Sequence, residues 1–262
     1  GVAVAVGLLS GSSTSAARLL AVGLIGMVVG VTVTLASPKF IHAALGFTLG
    51  GIPFAVIPGA GPAVLLLAVA VWAAMLTHPP PSLRVRTLDA MTALLLLVSF
   101  ASMTQSATST VHVTEFLKWA VATSLIFPLL RLDAIDLRRV GLSYVCGAAV
   151  GGGFSLLLLF FDRAGTAISV LSPIGYGNTG TIGTTLRWFE VGGTSIRRLA
   201  GTYIDPNVAG IFLFLGFALA LALTRGWIRI ASGAVIGLAL VATLSRSAIL
   251  SVIVALAVYL AF

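Results

Sequence analysis

Apolar runs long enough to cross a bilayer follow one another along almost the whole of this chain, with short polar breaks between them. A hydrocarbon core of about 30 Å needs about 20 apolar residues per helix. Inside it every backbone N–H and C=O must be satisfied within its own segment, so such runs fold as helices. Composition agrees: 59% of the 262 residues are hydrophobic and 8% are charged, where a soluble domain carries roughly a quarter charged. The expected fold is all-α, a polytopic transmembrane helical bundle forming a single integral membrane domain over 1–262. About eight or nine spans are expected, at roughly 17–36, 40–57, 62–77, 88–106, 114–130, 139–161, 206–223, 229–244 and 247–262. The stretch 40–77 stays open between two short helices and one broken pair, because Pro53, Pro58 and Pro62 with Gly50, Gly51, Gly59 and Gly61 interrupt it. Gly46, Gly50 and the triple glycine at 151–153 suit close helix–helix approach. The chain starts at Gly1 and both ends break off inside apolar runs, which reads as a fragment of a longer protein.

Lys and Arg accumulate in cytoplasmic loops, so the short loops set the orientation. Those at 78–87, 131–138 and 224–229 carry Arg84, Arg86, Arg131, Arg138, Arg225 and Arg229, whereas 107–113 carries no Lys or Arg. The three basic loops are therefore expected on the cytoplasmic side. The connection 107–113, the long loop 162–205 and the turn 244–246 then face outward. Topology and lipid phosphate account for the formal charge of +8, and nucleic acid is not an expected partner. Cys146 is the only cysteine and forms no internal disulfide.

The outer loop of about 45 residues breaks the charge rule, with Arg163, Arg187, Arg197 and Arg198 against Asp162, Glu190 and Asp205. Its middle, 175–185, is rich in Gly and Thr and reads as a linker without a core of its own. At its end, Asp205 is placed to cap a helix whose first turn holds Pro206, and Ser245 can cap the last span in the same way. Two helix N-termini, with free N–H groups and partial positive charge, then lie on the outer face beside Arg198 and Arg246. The planar guanidinium fork matches phosphate oxygens and stays charged at any working pH. Arg163, Arg187 and Arg197 read first as snorkelling or solvated, with Arg187 and Arg197 held as further candidates for the anion. His112, in a run with Glu115 and Lys118 at ion-pair spacing, is a weak candidate base and more simply an interfacial histidine. His42 and His78 read as structural, and Asp89 and Glu115 as interfacial acids. Metal-ligand spacing, a phosphate-cradling glycine motif and a nucleophile elbow are absent from the sequence.

Arg198 stands three residues before Gly201, Pro206-Asn207 opens a helix, and about 40 residues later comes Thr243-Leu244-Ser245-Arg246-Ser247. This pair of motifs resembles the O-antigen ligase and O-antigen polymerase superfamily, over about 198–262 by motif and over 17–161 by helix pattern only. The resemblance implies a multi-pass glycosyltransferase of the bacterial cytoplasmic (inner) membrane. Such an enzyme moves a glycan from a polyprenyl pyrophosphate carrier to a glycan, lipid or protein acceptor on the outer face, without metal or other cofactor. Carried over by position, Arg198 and Arg246 would bind the donor pyrophosphate, supported by Gly201, Asp205, Asn207 and Ser245. The family also uses a later outer loop with a histidine, and this sequence ends before it, so the acid-base residue is unassigned. The competing class is a transporter or flippase for an anionic or lipid-linked substrate. That class should show polar groups near the midplane and broken helices. The spans after 139 are clean through their middles, and the region near Pro53 is what keeps this alternative open.

Overall fold

The computed structural model of the chain describes residues 38–58, 60–79, 86–162, 166–176, 187–191 and 193–261. Helices dominate them: α1 (Pro38–Gly51), α2 (Ala63–Thr77), α3 (Thr87–Ser106), α4 (Thr110–Ser124), the four-residue α5 (Ile126–Leu129), α6 (Ala134–Phe161), α7 (Pro206–Leu223), α8 (Gly226–Ala242) and α9 (Arg246–Ala261). A β-hairpin, β1 (Arg187–Val191) and β2 (Thr194–Arg198), precedes α7.

Three of these helices, α3, α6 and α7, are long and apolar enough to cross a membrane, at 20, 28 and 18 residues. That corrects the expectation of eight or nine spans. The first expected span, 17–36, lies outside the described residues. Elsewhere the apolar runs are cut short by backbone chemistry. Pro53 has no N–H for the Leu49 carbonyl, and α1 ends at Gly51 after 14 residues. Pro128 likewise offers no N–H to the Ser124 carbonyl, where α4 stops after 15 residues and gives way to α5. The helices α2, α8 and α9 are apolar but hold 15, 17 and 16 residues.

The chain divides into two compact units. Most of the first spans 65–135 and packs α2 to α5 together. The Trp72 indole N–H donates to Ser124 Oγ at 2.9 Å and its ring meets Phe127 at a centroid distance of 6.3 Å. Phe100 and Phe116 join α3 to α4 at 6.0 Å. The expected pair Lys118–Glu115 forms at 2.6 Å. Asp89, in the first turn of α3, is 4% exposed. Its carboxylate receives both terminal nitrogens of Arg131, at 3.0 and 3.1 Å, and the Arg86 backbone N–H at 2.8 Å. A carboxylate withdrawn from water needs such a fork, because an unpaired buried charge is costly.

The second unit comprises 43–58, 62–64 and 136–262 and is built around α6. Glycines let backbones touch: a Cβ at Gly46 or Gly50 would run into the Val140 or Tyr144 carbonyl of α6, and one at Gly147 into the Phe47 carbonyl of α1. On the other side, Gly216 of α7 sits against Ala148 of α6, and Gly210 of α7 against Ser245 and Ala248 at the start of α9. Tyr144, Ala148, Leu213, Ile236 and Ala239 form the centre of the core. At one end of this unit α6 starts with an Asp136–Arg139 ion pair, and Arg229 Nε donates to the Thr224 carbonyl that closes α7, at 2.9 Å.

The described residues on either side of the Gly- and Thr-rich middle of 162–205 are structured. The Asp162 carboxylate accepts the Thr166 and Ala167 N–H groups at 3.2 and 2.8 Å, starting a 3-10 turn over Ala167–Ile174. Ile168 and Tyr176 are buried with Ala55 and Leu158 in a small core. The uncharged stretch 177–186 lies outside the described residues.

Candidate functional site

The start of α7, the end of α8 and the start of α9 lie together at the other end of the second unit, and the loop before α7 packs onto them. Leu199 N–H donates to the Ala242 carbonyl at 2.9 Å, tying the exit of β2 to the last turn of α8. Thr202 N–H donates to Ser155 Oγ of α6 at 3.2 Å. The Tyr176 hydroxyl donates to the Thr202 carbonyl at 2.9 Å, and that of Tyr203 to the Gly50 carbonyl at 2.8 Å. Burial pushes both phenols above the ordinary tyrosine range. Gly201 holds φ +51°, and a Cβ on it would collide with the Ser155 side chain.

Both helices are capped at this end. The Asp205 carboxylate accepts the Asn207 and Val208 N–H groups at 2.8 and 3.4 Å, with Pro206 in the first turn. Ser245, fully buried, has its Oγ 3.0 Å from Ser247 Oγ and 3.5 Å from the Ala248 N–H. The residue before each cap is held at positive φ without being glycine, Ile204 at 67° and Leu244 at 49°. Such backbone is retained only where the surroundings over-determine it.

Arg198 links the two caps. Its Nε donates to the Thr243 carbonyl at 2.9 Å, and its Nη2 donates to Asn207 Oδ1 at 3.1 Å and to the Leu244 carbonyl at 3.3 Å. The guanidinium thus meets the carbonyl end of α8, where a cation is favoured, and orients the amide in the first turn of α7. No described residue accepts from its Nη1. Arg246 is the first residue of α9, two positions beyond the Leu244 carbonyl that Arg198 grips, and it is exposed.

The structure therefore brings Arg198, Asn207, Asp205, Ser245, Arg246 and Gly201 to one end of one unit. Arg197 goes elsewhere: its Nη2 donates to the Asp162 carbonyl at the end of α6, at 2.5 Å, fastening β2 there. Arg187 lies in β1, paired in register with Arg198. His112 belongs to the first unit and is held locally, its Nδ1 accepting the Thr108 N–H at 3.3 Å. Ser155, Tyr176, Thr202 and Tyr203 had no sequence signal beyond residue type, since the bonds that bring them here run to residues 26 to 153 positions away and each uses a backbone group at one end. Comparison with protein-family models, curated proteins and solved structures finds no match to this chain.

Proposed function

We propose that this protein is a membrane glycosyltransferase of the O-antigen ligase and polymerase type, moving a glycan from a polyprenyl pyrophosphate carrier to an acceptor at the end where α7 and α9 begin. The observation that carries the reading is the Arg198 bridge: one guanidinium spans the Thr243 and Leu244 carbonyls and Asn207, and Arg246 follows in the same turn. Two helix N-termini and two arginines at one end suit a diphosphate. As the glycosyl bond breaks, negative charge grows on the departing pyrophosphate, and guanidinium groups fixed beforehand stabilise it without reorganising. Arg198 is anchored to protein through its Nε and Nη2. Arg246, exposed at the first position of α9, brings a second guanidinium to the same end. In the same reading the site faces outward from a bacterial cytoplasmic membrane, and the acceptor is a glycan, lipid or protein hydroxyl.

The test replaces Arg198 or Arg246 with Ala and with Lys in the full-length protein and follows consumption of a polyprenyl-pyrophosphate glycan in membranes. Each Ala variant should lose about 10²–10³-fold in turnover, the scale of a lost charge-stabilising donor. Arg198→Lys should fall nearly as far, because one ammonium cannot hold the carbonyls and Asn207 together and still face a ligand. Full turnover by the Ala variants would overturn the assignment.

A further inference from the structure

At the end of the second unit away from Arg198, the start of α6 packs on the end of α7: a Cβ at Gly141 would run into Leu223 Cδ1, on the last residue of α7. Arg138 stands one turn before Gly141, on the same side of α6. Arg225 follows the end of α7 and immediately precedes α8. Two arginines far apart in sequence thus come to one end, and both are exposed. Arg229, in the first turn of α8, joins them while its Nε holds the Thr224 carbonyl. The acids of this stretch are already engaged, Asp136 with Arg139 and Asp133 in an interaction of its own. Among the described residues, Arg138 and Arg225 form no ion pair. Large apolar side chains lie exposed beside these cations: Leu137 next to Arg138, and Trp227, Ile228 and Ile230 around Arg229, with Trp227 77% exposed. Water is a poor solvent for that mixture and a membrane interface is a good one, since indole and aliphatic groups enter the upper acyl region while guanidinium groups stay at the phosphates. Orientation alone asks only that a loop be basic. It does not ask that arginines of two distant loops gather beside an exposed tryptophan.

We infer that this end is a binding site for an anionic phospholipid, its headgroup taken by Arg138 and Arg225 and its acyl chains lying against Trp227 and Ile230. The inference is independent of the reading under Proposed function, because it concerns the other end of the unit and a different ligand. Net negative charge on the headgroup is what the site selects: a zwitterionic lipid brings the same phosphate but cancels it with its own cation, so it gains much less from two guanidinium groups.

The experiment holds the whole chain in a nonionic detergent, titrates it with phosphatidylglycerol or phosphatidylcholine, and counts bound lipid by native mass spectrometry. The wild type is compared with Arg138→Gln, Arg225→Gln, the double Gln variant, the double Lys variant and Arg198→Gln. One arginine near a surface is worth about fivefold in affinity for an anionic headgroup, so each single Gln variant should lose about that much preference for phosphatidylglycerol and the double Gln variant about thirtyfold. The double Lys variant keeps both charges and should keep most of the preference. Phosphatidylcholine binding should change little throughout. A wild type without preference, or a double Gln variant that retains it, would sink the inference and leave the proposed function standing. Equal loss in Arg198→Gln would move the site to the other end and overturn the assignment to Arg138 and Arg225. A lower lipid-free Tm in the double Gln variant would make these arginines structural and overturn their binding role. Inorganic phosphate at matched ionic strength should leave the lipid bound; displacement would assign the arginines to a free anion instead.

Discussion

Gly201 and Tyr203 carry opposite kinds of constraint in one turn. Gly201 needs a positive φ of 51° and no Cβ, because Ser155 already fills that space. Gly201→Ala should cost about 2 kcal/mol through strain and overpacking, read as a Tm lower by several degrees; an unchanged Tm would remove the close approach to α6. Tyr203 needs a proton. Its hydroxyl donates to the Gly50 carbonyl inside the core, and burial lifts its pKa above the ordinary value, as it does for Tyr176. The unfolded phenol ionises near about 10, so above that pH the unfolded chain gives up a proton that the folded chain keeps. Stability is then fully present below about pH 10 and declines as pH rises beyond it. Tyr203→Phe should cost about 1–2 kcal/mol at neutral pH by orphaning the carbonyl, and should flatten the alkaline decline; an identical alkaline slope would dissociate the decline from this residue. How much of this was legible depends on where each partner lies. The Asp205 cap was readable because its donors follow at once in sequence. The partners of Arg198 were not, since Thr243 lies 45 residues away and offers only its backbone carbonyl, which no side-chain pattern announces.

At the scale of elements, helix contact and helix length had different legibility. Small residues at Gly46, Gly50 and 151–153 indicated close approach, and α1 does lie against α6 with Gly147 and Gly151 facing its backbone. Where helices stop depends on local hydrogen bonding: Pro53 was already legible as a break, but counting apolar residues overlooked Pro128 within an otherwise apolar stretch. The glycines also separate into kinds that sequence alone treats alike. A Cβ at Gly147 would collide with the Phe47 carbonyl, whereas at Gly153 it would meet only Val235 Cγ1 at 3.5 Å, an ordinary contact. Gly147→Ala should therefore force α1 from α6 and cost about 1–3 kcal/mol. Gly153→Ala should be neutral or stabilising by up to about 1 kcal/mol through helix propensity. Thermal denaturation of the two single variants in one detergent compares them directly, and equal behaviour would contradict the packing described.

Across the second unit, chemistry separates into two ends. At one end lie Asp136 with Arg139, Arg225, and Arg229 on the Thr224 carbonyl. At the other lie the 3-10 turn, the hairpin, both capped helix starts and the bridge from Arg198. The first matches the short basic loops that sequence assigns to the cytoplasm. The second gathers Arg197, Arg198 and Arg246, which the charge rule does not expect in an outer loop and which the proposed anion site would account for. That asymmetry predicts a labelling pattern in membranes. Replacing the single cysteine by Ser leaves a background for one new thiol at a time. Ser169→Cys, exposed on the 3-10 turn, should react with a membrane-impermeant maleimide in intact spheroplasts. Arg225→Cys, exposed before α8, should react only after lysis. Both positions carry side chains free of the core, so folding should not confuse the readout. Labelling at 169 confined to lysed membranes would turn the arginine end toward the cytoplasm. A glycan presented on an outward-facing carrier could then not reach the site, and the proposed transfer would fail on geometry, whatever the affinity of Arg198 and Arg246 for phosphate.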